Sequence, residues 1–236
     1  MAAPAFVSAT AQGSATATTA ATVTLPTTAA NDILIITAIN GGANTAVTMT
    51  TGTYNGSAIT AIGSGAGWTS GWGATYWSRC TGNHSGQTII LTGATDSCSL
   101  QVVRYSGCIT TGNPYDTNIS QATVAAGANM ALAAFTTVVD DGLVVLCAAV
   151  DDNLLSTLPT KNAVAMNNLA TAASSGGADS HVASADLAQA TPGTTGAFAL
   201  TFGAGTNQGK RATAFALIPP TPVPGPINLL HMAPQL

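Results

Sequence analysis

No segment of this sequence combines a helical hydrophobic period with capping residues, whereas short runs rich in Thr, Val, Ile and Ala, closed by Gly, Asn or Asp, recur along its length. Such runs fit pleated, half-buried strands and not an amphipathic helix. The clearest lie at residues 19–25, 32–39, 46–50, 58–63, 74–80, 87–93, 99–107, 142–150, 197–203 and 211–218. About ten short strands at this spacing predict an all-β fold, an antiparallel β-sandwich or jelly roll. Residues 162–173, "NAVAMNNLATAA", read equally as a short helix or an irregular loop. In "TYNGSAIT" the Asn55-Gly56 pair predicts a two-residue hairpin turn, since both residue types tolerate positive φ.

Two passages echo each other. Residues 24–40, "TLPTTAANDILIITAIN", match 133–151 in an apolar start, a Thr pair, an acidic turn and an apolar strand. The hairpin-like stretches beginning "TIILTG" and "AFALTFG" repeat the likeness, through true duplication or through shared hairpin grammar. The expected organisation is an N-terminal arm (1–18), one sandwich domain (19–218, with similar halves of about 19–120 and 121–218) and an extended C-terminal arm (219–236).

Charge bounds the partners. Hydrophobic residues make up 46% of the 236 and charged residues only 6%, with no Glu at all. An ordinary soluble domain carries about 25% charged residues, so Thr, Ser, Asn, Gly and Ala must cover this surface, which suits permanent contact with other proteins. Arg79, Arg104, Lys161, Lys210 and Arg211 form no basic patch, and the net charge is −4, which disfavours binding to nucleic acid. The N-terminus lacks the basic start and apolar core of a secretion signal, giving an expectation that the chain stays in the cytosol until something else releases it. The longest apolar run, Leu143 to Val150, falls far short of the roughly 20 residues of a membrane helix. Cys80, Cys98, Cys108 and Cys147 fit no metal pattern; they read as buried thiols or as one disulfide or intersubunit bridge.

After Ile218 the sequence changes character: prolines at 219, 220, 222, 224 and 226 favour extended polyproline geometry. The apolar "INLLHM" beyond them needs a partner, so Pro219, Pro220, Pro222, Ile227, Leu229, Leu230 and Met232 are candidates for an arm that docks on a neighbour. A disordered terminus is the plainer reading.

Catalytic chemistry is sparse. Three His and nine Asp are scattered, without H-x-x-x-H, G-x-S-x-G or a P-loop. His181 with Asp179 or Asp186 and a serine is the one conceivable triad, and no catalytic residue, metal or cofactor is expected. The pairs Asp140-Asp141 and Asp151-Asp152 flank one strand and lie too far apart to share an ion. All three tryptophans fall in "GWTSGWGATYW", where Trp68, Trp72 and Tyr76 are candidates for a sugar-stacking platform, for core packing or for a subunit contact, and alternation places Tyr76 and Trp77 on opposite faces, one in the core and one outward.

Asn31-Asp32 before a strand, Tyr54-Asn55-Gly56, Tyr76-Trp77, the run from Gly86 to Leu91, and Tyr105-Ser106-Gly107 with Pro114 occur in this order. The succession resembles a β-sandwich module of tailed-bacteriophage virion proteins, also found in bacterial surface proteins. The likeness spans about residues 20–120 and weakens toward Ile218. It implies a scaffold with no catalytic set attached. On it rests the expectation of a virion structural protein: a head decoration (cement) protein, with a major capsid protein or other virion proteins as partners and a homo-oligomer, guessed to be a trimer. A tail- or fibre-associated carbohydrate-binding adhesin is the alternative.

Overall fold

The computed structural model describes residues 3–13, 20–42, 44–68, 70–93, 97–125, 129–151, 159–174, 180–202 and 209–221. The fold is all-β, with antiparallel pairing throughout, and no sheet closes into a barrel among the described residues. The described residues form twenty strands, numbered in chain order. Sheet A runs β1 (Ala5–Gly13), β9 (Cys98–Ser106), β3 (Ile33–Gly41), β7 (Gly71–Arg79) and β5 (Thr60–Ala61), with β6 (Ala66–Trp68) also on β7. Sheet B runs β2 (Ala20–Thr24), β8 (Thr88–Thr92) and β4 (Thr48–Thr50). Sheet C runs β10 (Ser120–Val124), β20 (Lys210–Leu217), β13 (Gly142–Val150), β17 (His181–Gln189) and β16 (Asn167–Ala173). Sheet D runs β11 (Asn129–Leu132), β19 (Phe198–Thr201), β14 (Thr160–Lys161) and β15 (Val164–Ala165), beside a small ladder of β12 (Thr136–Thr137) with β18 (Gly193–Thr194).

The cores order these sheets as layers B, A, C and D. Leu34, Ile36 and Ala38 of β3 meet Val23, Ile89 and Leu91 of sheet B. On the other face of β3, Ile33 and Ile35 meet Val145, Cys147 and Phe215 of sheet C. Val144, Leu146 and Ala148 then face Met130, Phe198 and Leu200 of sheet D. This explains why β3 and β13 are continuous apolar runs, buried at every position, and not alternating ones: both lie in sheets covered on two faces. Four serines and glutamines pin the A–C seam. Ser99 Oγ donates to Ser180 O at 2.9 Å and Ser184 Oγ to Gln101 Oε1 at 2.8 Å, all buried, so sliding one sheet over the other leaves polar atoms unsatisfied.

The halves repeat one topology. The order β1-β9-β3-β7 in sheet A matches β10-β20-β13-β17 in sheet C, and β2-β8-β4 matches β11-β19-β14. The two sequence echoes fall on matching strands, the first on β3 and β13 and the second on β8–β9 and β19–β20. Contacts across the seam pair β7 with β20 and β9 with β17, and β1 with β16 and β6 with β10, as a two-fold relation between the halves requires.

Several local expectations change. Residues 162–173 form neither helix nor irregular loop but β15 and β16, with left-handed residues at Asn162, Ala163 and Asn168 and a register break between Asn167 and Ala170. Residues 5–13, expected in an arm, add β1 to the edge of sheet A. Asn55-Gly56 is no hairpin turn. Neither residue has positive φ, the left-handed position is Gly52, and the flanking strands β4 and β5 belong to different sheets. The Tyr54 ring dictates the glycine: a Cβ on Gly56 would lie 2.0 Å from the Tyr54 hydroxyl, which bonds Ser78 Oγ at 2.9 Å in the core between sheets A and B.

Candidate functional site

The tryptophan cluster is structural at its centre. Trp68 is buried against Ile39, Ala149 and Val182 at the A–C seam, under glycines that leave room for the indole: a Cβ on Gly209 would come 1.9 Å from its Cδ1, and one on Gly71 2.7 Å from its Cε2. It therefore presents no ring face for stacking a sugar. Trp72 and Tyr76 are half-buried and pack on the core between sheets A and B. Tyr76 and Trp77 do point to opposite faces, but both faces are covered, Trp77 entering the seam with sheet C. The expectation of one outward ring fails because a second layer lies over sheet A.

The four cysteines are buried and form no disulfide with one another, two in the A–B core (Cys80, Cys98) and two at the seam (Cys108, Cys147). Burial pushes the thiols of Cys108 and Cys147 up to about 12. Such groups favour the folded state fully below the ordinary thiol value, and that contribution is lost as pH rises through 9 toward 12. Native protein at pH 8 is accordingly expected to leave these two thiols unmodified by iodoacetamide over hours, whereas denaturant exposes all four; peptide mass mapping reads both.

Among the described residues the histidine and acidic side chains do not converge on a catalytic geometry. His84 is held by Gln87 Oε1 at 3.0 Å and by the amide of Thr81 at 3.2 Å, edge-on to Tyr54. His181 and Asp186 stand five residues apart on β17, roughly 16 Å at about 3.3 Å per residue, and on opposite faces; Asp179 lies outside the described residues. Asp141 and Asp151 flank opposite ends of β13. Among the described residues no group of three or more His, Cys or Asp side chains is placed to hold a metal ion, and no helix is long and apolar enough to cross a membrane.

Asp186 is the buried acid with the clearest pH consequence. Burial pushes its carboxyl above the ordinary value, partly opposed by Asn168 Nδ2 donating at 2.9 Å, with Tyr105 beside it. A raised acid stabilises the fold fully below its unfolded value near 3.8, and that contribution is lost as pH rises through the folded value. Asp186→Asn keeps the acceptor for Asn168 and removes the charge. Its melting temperature is expected to match that of the parent near pH 3.5 and to exceed it increasingly toward pH 7; a constant difference across that range contradicts the argument.

The basic residues serve the interior. Arg104 Nε pairs with Asp32 Oδ2 at 2.6 Å. Arg79 donates to the carbonyls of Ile109 and Gly112, and Lys161 Nζ to Gln189 Oε1 at 2.6 Å. Arg211 reaches Thr123 Oγ1 at 2.7 Å and the Ser64 carbonyl, bridging the halves, while Lys210 is fully buried with its ammonium 5.0 Å from the Phe202 ring. Asp32, Asp116, Asp151 and Asp186 are buried as well. Among the described residues only Asp140 and Asp141 are exposed carboxylates.

Those two carboxylates rim a cavity. It has a volume of about 290 Å³ between Val138–Asp141, the turn entering β13, and Ile218–Thr221, the segment leaving β20. The turn is tied down by Asp116, whose Oδ2 accepts from the Val138 amide at 2.9 Å, and by Asn118 Nδ2 donating to Thr136 O at 3.0 Å. Pro219 and Pro220, expected to start the arm, form its outer wall. Pro222, Ile227, Leu229, Leu230 and Met232, with His231, lie outside the described residues. Neither the cavity nor its link to the arm was read from the sequence, where Asp140-Asp141 signalled only a turn; Val-Val beside the acidic pair was the available sign. No protein-family model, curated protein or solved structure matches the chain.

Proposed function

We propose that the chain is a structural protein of a tailed-bacteriophage virion and, more narrowly, a head decoration protein that acts as a double, jelly-roll-like β-sandwich bound across the junctions of other subunits. The observation that carries this reading is the inward use of charge. All five basic side chains serve internal contacts, leaving, among the described residues, an outer surface of Thr, Ser, Asn, Gly and Ala with exposed carboxylates only at Asp140 and Asp141. Such a surface avoids the desolvation cost of burying charge in a large permanent interface. Among the described residues no titratable groups converge as they do in a catalyst. The resemblance of Asn31-Asp32, Tyr54-Asn55-Gly56, Tyr76-Trp77 and Tyr105-Ser106-Gly107 to the virion module supports the same reading. Its action is passive: added buried area holds neighbouring shell subunits together.

The test is a particle assembled without this chain. Its head is expected to open at lower temperature or lower osmotic stress than the complete particle, and purified protein added back is expected to restore it. Equal head stability with and without the chain rejects the decoration role. The adhesin alternative loses its principal ring with the burial of Trp68.

A further inference from the structure

The two-fold relation between the halves shows why the cavity exists and what it lacks. Asn31 (φ 70°) and Asp141 (φ 53°) occupy equivalent left-handed positions, and their amides donate to carbonyls just beyond the ends of β7 and β17, Cys80 O at 2.8 Å and Ala190 O at 3.0 Å. In the first half the next residue is Asp32, clamped by Arg104, which also donates from Nη1 to Thr27 O at 2.6 Å and closes the turn. The equivalents of this ion pair in the second half are Gly142 and Ala216, as the registers Leu34↔Arg104 and Val144↔Ala216 show. Two small residues replace the clamp. After β9 the chain bends at Gly107 (φ 70°), whereas the equivalent Pro219 cannot adopt positive φ, so the chain runs straight out over the turn. The ion pair that closes the turn in one half has no counterpart in the other. The open turn also carries Val138, at 62% the most exposed large hydrophobic side chain among the described residues.

We propose that this cavity receives residues Ile227–Met232 of a second copy of the chain. The segment that follows Thr221 starts at the cavity wall and carries four large apolar side chains, Ile227, Leu229, Leu230 and Met232. Prolines at 222, 224 and 226 favour an extended lead in the sequence, and six residues at about 3.1 Å each would span roughly 19 Å. That is too far to fill the cavity at its own root and suited to the same cavity on a neighbour. A volume near 290 Å³ is at the small end of ligand pockets and fits aliphatic side chains. Each copy offers one segment and one cavity, and a reciprocal exchange of the two between copies makes a closed pair or small ring.

The docking is independent of the virion reading, since it is measured on purified protein. Light scattering after gel filtration is expected to show a closed oligomer for the full chain, and a monomer for the chain ending at Thr221 and for Val138→Asp. Val138 is exposed, so this variant should fold, with a melting temperature near that of the parent. Val139→Cys and Leu230→Cys on separate copies, mixed and oxidised, are expected to give a disulfide-linked pair. A monomeric full chain, an oligomer that survives truncation, no link between the two copies, or a link formed only when both cysteines lie on one chain would overturn the proposal.

Discussion

Trp68→Ala is expected to lower folding stability by about 3–5 kcal/mol, the cost of emptying an aromatic site that cannot collapse. For a chain of this length that is roughly 6–20 °C in melting temperature. The site cannot collapse because the groups around the indole have little to move: Gly71, Gly73 and Gly209 offer only backbone, and Ile39, Ala149 and Val182 sit on central strands of two sheets. Since Trp68 is inserted at the seam between sheets A and C, its loss loosens one half against the other and not a surface loop. Trp68→Phe, which refills part of the space, should recover part of the loss. Calorimetry of the three proteins checks the order. A Trp68→Ala protein that melts like the parent but loses binding to a glycan would return this side chain to the adhesin reading.

Arg104→Ala is expected to cost about 3–5 kcal/mol, because it leaves the Asp32 carboxylate without its cation in a place where the side chain is only 5% exposed. The pair contributes more than Coulomb attraction. Asp32 Oδ2 also accepts from the Ala29 amide at 2.6 Å, so one carboxylate closes the turn and orients the arginine toward Thr27 O. The second half of the molecule shows how the same backbone manages without the pair: Gly142 and Ala216 leave no charge to compensate. Asp32→Asn combined with Arg104→Ala should therefore be more stable than Arg104→Ala alone, the amide still accepting from Ala29. Chemical denaturation of the single and double variants measures the difference; equal stability would show that the buried charge is not what makes the single variant costly.

Long apolar runs were the legible part of this fold. β3, β7, β8, β9, β13, β19 and β20 stand close to where Val, Ile, Thr and aromatic residues announced them, because these side chains both favour the pleat and fill the cores. β17 and β16 were missed, since "HVASADLAQ" and "NNLATAA" are built of Ala, Ser and Asn, whose strand signal is weak; packing against the facing sheet and pairing along the ladder supply what propensity does not. The layer count was legible only indirectly, in that β3 and β13 do not alternate. The Asn-Gly pair misled for a definable reason: glycine serves either positive φ or close approach, and at Gly56 the Tyr54 ring makes it the second. At the candidate site the sequence exposed the proline-led segment but not its counterpart, which arises from what is absent at Gly142 and Ala216 relative to Asp32 and Arg104. That comparison requires the register of the two halves.

The virion reading is tested most directly by the protein composition of purified phage particles. Gradient-purified heads and tails, separated and quantified by mass spectrometry, are expected to contain this chain on the head fraction in a fixed ratio to the major shell subunit. Its absence from particles, or its presence only in the soluble lysate, would contradict the account.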